Sequence, residues 1–143
     1  MAFGLINQDL EKVYQASYER IVQYEEQQGD FFDKFYQNFL ASSSEARDKF
    51  SQVDMKNQVT LIKNFLLHLQ MYHKTKVMNE RLKSVAITHG RAGYNISEHL
   101  YDLWLLSLLK TLEECDPKYT PKVKQAWKMV LKPGIDAIKS GMN

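Results

Sequence analysis

The feature that most restricts this chain is how little interrupts it: prolines occur only at 117, 121 and 133, so the first 116 residues carry none. Proline removes a backbone donor and clashes with the preceding turn, so a chain that lacks it can run as long helices. No segment alternates apolar and polar residues between turn signals, as a half-buried strand must. Apolar residues instead recur at helical spacing throughout. The expectation is an all-α protein of six to seven helices in one domain over residues 1–143, a length that can bury a single substantial core.

The helices can be placed from their faces and caps. Asn7 is expected to cap a first helix whose face is Leu10, Val13, Tyr14, Ser17, Tyr18 and Ile21, ending near Glu25. Gly29 and Asp30 punctuate. The next helix carries Phe31, Phe32, Phe35, Tyr36, Phe39 and Leu40, an aromatic face heavy enough to line something large. Ser42, with Glu45 three residues on, reads as a capping box opening a short helix to about Phe50. Asp54 caps a helix with Met55, Gln58, Val59, Ile62, Phe65, Leu66 and Leu69 on one face, running to about His73. After a polar KTKVMNER connection, Leu82, Val85, Ala86 and His89 share a helical face, and Gly90 and Gly93 let the backbone leave through positive φ. Ser97 and Glu98 restart an apolar helix to about Glu114, the most central by composition. Thr120 and Pro121 open a last helix that Pro133 and Gly134 should kink or end.

Composition narrows the function. With 44% hydrophobic and 25% charged residues the chain has a globular balance, and its formal net charge of +2 is scattered, which argues against a nucleic-acid partner. No apolar run approaches the roughly 18 residues that cross a bilayer, and MAFGLINQD has no secretory pattern, so the expectation is a cytoplasmic protein, monomer or homodimer, without membrane contact. The lone cysteine, Cys115, has no CxxC partner and reads as a half-buried thiol. The glutamates at 25, 26, 113 and 114 read as solvated helix ends.

His89 is the residue around which a function can be built. On an apolar face, before a glycine-rich turn, it is either an ordinary hydrogen-bonded core histidine or a metal ligand. Three stretches in order decide how it is read. FFDKFYQNFLASSSEARDKF sets the Phe35–Tyr36 pair fourteen residues, counted from the tyrosine, before Phe50; DMKNQ supplies Gln58; HGRAGYNI supplies His89 and Tyr94, Asn95 and Ile96. In this order and spacing the chain resembles the bacterial single-domain globins and the globin domain of flavohaemoglobins, over nearly its whole length.

That resemblance implies a globin fold around a pocket for haem b. It implies His89 as the proximal iron ligand, and Tyr36, with Gln58, as the distal pair facing a gas ligand. The pocket walls would be Phe35, Phe39, Phe50, Ile62, Phe65, Val85, Tyr94, Ile96, Tyr101 and Trp104. The implied ligands are dioxygen, nitric oxide and carbon monoxide, bound reversibly. Nitric oxide dioxygenation with an external reductase is implied as a further activity, and a gas-sensor module acting through a partner is the alternative. The pattern departs in three places. The interval before Gln58 is shorter than in flavohaemoglobins, which makes Leu61 its competitor. The loop after His89 is longer. Met142 stands where a flavohaemoglobin glutamate would join Tyr101 beside the proximal histidine. The other ring nitrogen of His89 is expected to donate to a carbonyl one turn back, near Val85. Arg91 or Lys49 are candidates to pair with haem propionates, whereas His68, His73 and His99 read as surface or structural histidines.

Overall fold

A computed structural model describes residues 2–90 and 95–141, with residues 2–6 as backbone alone. The described residues form seven α-helices and no strand: α1 (Ala2–Gln28), α2 (Phe31–Ser42), α3 (Ser44–Lys49), α4 (Met55–Thr75), α5 (Glu80–His89), α6 (Glu98–Cys115) and α7 (Pro121–Ser140). Helix α7 lies against α1 and α4, α2 packs on α6, and α5 rests on α7. Trp127 of α7, fully buried, sits edge-on to Tyr14 of α1 at the centre of one half of the core. None of the described helices is long and apolar enough to cross a membrane.

Most caps follow from side-chain chemistry. Asp54 accepts from the Lys56 amide and Thr120 from that of Val123, satisfying donors that the first turn leaves open. Asn79, which the sequence leaves inside a connection, caps α5 by accepting from the Leu82 amide. Gly29, at φ 71°, ends α1 in the left-handed region that favours glycine.

Several boundaries differ from those expected. Helix α1 begins at Ala2, so Asn7 lies inside it; no proline precedes Asn7 to stop the helix from extending backwards. The cap of α3 is Ser43, whose extended backbone lets its hydroxyl accept from the Ala46 amide. Ser42 remains in α2 and donates to the Phe39 carbonyl at 2.6 Å. Glu45 therefore does not close a capping box. Glu25 is no mere solvated helix end, because its carboxylate accepts from the Phe31 amide at 2.8 Å. Cys115 is buried more deeply than half.

Pro133 does not end α7, which continues to Ser140. The reason lies in packing. A Cβ on Gly134 would come within 2.6 Å of the Leu69 side chain, so the glycine after the proline lets α7 lie directly against α4. Burial of Val130, Leu131, Ile135 and Ile138 on both sides of the proline outweighs one missing hydrogen bond.

The turn after α5 also differs. Gly90 has φ −73° and is extended; among the described residues of the turn the one with left-handed backbone is Asn95, at φ 52°. Asparagine tolerates that region better than most side chains. Gly93, Tyr94, Arg91 and Met142, each given a role above, lie outside the described residues.

Candidate functional site

The aromatic residues of α2 form the largest feature of the second half of the core. Phe35 packs edge-on to Tyr36 and Trp104 and stacks with Phe39; Phe50, at the end of α3, meets both Tyr36 and Phe39; Phe65 of α4 meets Trp104. Four separate stretches thus supply one continuous group of rings, with centroids 5.0–5.9 Å apart. Edge-to-face arrangements of this kind suit the charge distribution of the rings. Phe35, Tyr36 and Phe39 are buried, and Phe50, Phe65 and Trp104 half-buried.

Tyr36 carries the polar atom of this group. Its hydroxyl donates to the backbone carbonyl of Gln58 at 3.3 Å, a long bond, and burial raises its pKa above the ordinary phenol value. The phenol is therefore protonated throughout the physiological range and remains a donor. Gln58 is half-buried and lies on the side of α4 that continues through buried Ile62 to Phe65, whereas Leu61 is 41% exposed.

His89 ends α5, half-buried, and burial lowers its pKa. The imidazole is therefore neutral at neutral pH, the form in which it can act as a ligand. Its Nδ1 lies 2.7 Å from the hydroxyl of Tyr101 on α6. This corrects the expected carbonyl near Val85: the ring is held across helices, not within its own. The Tyr101 hydroxyl is itself protonated, since burial raises its pKa. Val85 and Ile96 are half-buried against the same core.

Helix α6 joins the two halves. Tyr101 and Trp104 stand three residues apart and so share a face. Tyr101 reaches His89, and Trp104 reaches Phe35 and, through it, Tyr36. The sequence singled out all of these residues but missed the direct bond from Tyr101 to His89. The signal was the resemblance, which sets Tyr101 beside the proximal histidine with Met142 in the place of its glutamate partner.

The other histidines have interhelical or surface roles. Asn79 donates to Nδ1 of His68 at 3.0 Å, His73 lies 3.1 Å from the Glu11 carboxylate, and His99 is exposed. Lys49 is exposed at the end of α3.

Neither the family models nor the curated proteins include a match to this sequence. Among solved structures, the crystal structure of a Pseudomonas aeruginosa protein, described as structurally highly homologous to a human hemoglobin, is 34% identical to this chain. The match covers 94% of this chain and 98% of that one, at a TM-score of 0.85. With a third of its residues identical to that protein and seven helices following nearly the whole of its trace, the chain belongs to the bacterial single-domain globins.

Proposed function

We propose that the chain holds haem b with Nε2 of His89 as the axial ligand to iron, and that it binds dioxygen, and likewise nitric oxide and carbon monoxide, reversibly on the Tyr36 side. The globin fold suggests haem, and the residues fit it. A haem needs a neutral imidazole and flat apolar walls, and His89 and the ring cluster of Phe35, Phe39, Phe50, Phe65 and Trp104 have that chemistry.

The observation that carries the reading is the 2.7 Å contact between His89 Nδ1 and the Tyr101 hydroxyl. A ligating histidine is commonly oriented through its other ring nitrogen, and a phenol does this without adding charge. When bound, ferrous haem with one imidazole ligand supplies a coordination position that takes up a small gas molecule. With Nε2 committed to metal, the imidazole proton stays on Nδ1, so His89 donates and Tyr101 accepts. Tyr36 supplies a protonated hydroxyl whose bond to Gln58 is long, and so costs little to exchange for a ligand that has drawn negative charge. Ile62, Val85 and Ile96 would exclude water.

Absorbance spectra of the purified protein with haem, in ferric, ferrous and carbonmonoxy forms, test this directly. A Soret band that shifts on reduction and on adding carbon monoxide is expected, and His89→Ala should lose the five-coordinate ferrous spectrum. Unchanged pigment uptake and colour in His89→Ala would remove the imidazole from its role.

A further inference from the structure

The segment that follows His89 is fastened at consecutive residues. The Asn95 amide donates to the Gly90 carbonyl and the Ile96 amide to the His89 carbonyl, both at 2.9 Å. The next amide, that of Ser97, leaves the segment altogether and donates to Glu45 of α3 at 3.2 Å, while the Ser97 hydroxyl donates to the other oxygen of the same carboxylate at 2.6 Å. Ser97 occupies the cap position of α6 yet makes no side-chain bond to its own helix; its hydroxyl is committed to Glu45.

Glu45 belongs to the opposite side of the site. Helix α3 follows α2 with only Ser43 between them, and Phe50 at its end packs against Tyr36 and Phe39. One carboxylate therefore spans from the helix pair that carries Tyr36 to the stretch whose amides grip the end of α5. The Ser97 hydroxyl, acting first, holds the Glu45 carboxyl below its ordinary range, so the carboxylate is ionised and both bonds are charge-assisted. Apart from α6, this two-pronged link is a direct connection between the Tyr36 side and the His89 side.

We propose that Glu45 is a positioning residue: by clasping Ser97 it ties Asn95, Ile96 and Ser97, which bond back to the end of α5, to α3, and this clasp sets how long the chain retains its haem. The inference rests on the haem reading above. A bond pair of this kind at an exposed place slows release by several-fold and does not decide whether binding occurs.

The test follows transfer of haem from the reconstituted full-length protein to an excess of a haem-scavenging apoprotein, alongside hydrogen exchange at the Ser97 amide in the haem-free chain. Glu45→Ala should speed transfer about fivefold and expose the amide; Ser97→Ala, which keeps the amide prong, should speed it about twofold; Ser97→Thr should keep nearly the original rate. Should Glu45→Ala lower the melting point of the haem-free chain while leaving transfer unchanged, Glu45 only caps α6 and the proposal is overturned. An amide exchange rate indifferent to Glu45→Ala overturns it as well. A parent protein that takes up no haem, seen in its spectrum before any variant is made, sinks the haem reading itself and the proposal with it.

Discussion

The two halves of this core treat buried polar groups in opposite ways. Around Asp116, at the junction of α1, α6 and α7, every prong is used: the carboxylate accepts from Ser17 at 2.7 Å, from Arg20 at 2.7 and 2.9 Å and from the Lys118 amide at 3.0 Å, while Trp127 donates to Ser17 at 2.9 Å. Around Tyr36 the neighbours are aromatic rings, and its hydroxyl reaches the Gln58 carbonyl at only 3.3 Å. Saturated hydrogen bonding fixes a corner; a weakly held donor beside apolar walls leaves a group that can serve a ligand. The first region stabilises the frame; under the proposed function the second serves the ligand.

Breaking the saturated corner should give the largest effect. Asp116→Ala removes the acceptor for Ser17 and for the partly buried Arg20 and should cost about 3 kcal/mol of stability, read from urea unfolding. Ligand kinetics should hardly change. Burial alone would push the Asp116 carboxyl up, but the bonds from Arg20, Ser17 and Lys118 outweigh it and hold its pKa below the ordinary value. A native pKa below the unfolded one means that the contribution is complete above about pH 5 and is lost as pH falls through the depressed native value. The parent protein should lose stability in acid more steeply than Asp116→Ala. Equal acid profiles would show that the corner does not act through this carboxylate.

The complementary change at the weakly held donor should reverse the pattern. Tyr36→Phe gives up one long hydrogen bond and should alter stability by less than about 1 kcal/mol. Under the proposed function it should speed dioxygen release about ten- to a hundredfold, the kinetic equivalent of losing a hydrogen bond to a charged group, with a smaller effect on carbon monoxide. Stopped-flow release measured for both gases tests the contrast. Equal changes for the two would mean that Tyr36 acts by filling space.

How far each half could be read from the chain follows from how local its determinants are. Helical periodicity and the caps at Asp54 and Thr120 depend on neighbours a few residues away, and each of the seven helices contains the face that the periodicity marks, although α1 starts earlier, α3 is capped one residue later and α7 runs on past Pro133. The ring cluster was legible because Phe35, Tyr36 and Phe39 crowd one helix. Three serines in a row gave no means of choosing Ser43 over Ser42 as the cap. That α7 continues past Pro133 rests on its close contact with α4, far away in sequence, which no local signal carries. Nothing local marks Asp116 as a structural centre, since its partners stand 96 and 99 residues away. For Tyr101 and His89 the resemblance implies the neighbourhood, but the direct bond depends on the approach of α6 to α5, which no local signal gives.

That last bond offers the finest test of the contrast, because it is the short, well-made polar contact in the half whose other donor is loosely held. Tyr101→Phe removes the hydroxyl and keeps the ring. Under the proposed function, with iron at Nε2, His89 would donate its Nδ1 proton to the phenol oxygen, which would make the imidazole slightly more electron-rich and favour the ferric state. Loss of the acceptor should therefore raise the midpoint potential of the haem-loaded protein. A neutral hydrogen bond is worth about 0.5–1.5 kcal/mol, and a one-electron couple moves about 59 mV per tenfold, so the rise should be roughly 20–60 mV. Spectroelectrochemical titration of the two proteins measures it. A potential that stays the same or falls would mean that Tyr101 merely packs beside His89, and the polar economy of this half would then rest on Tyr36 alone.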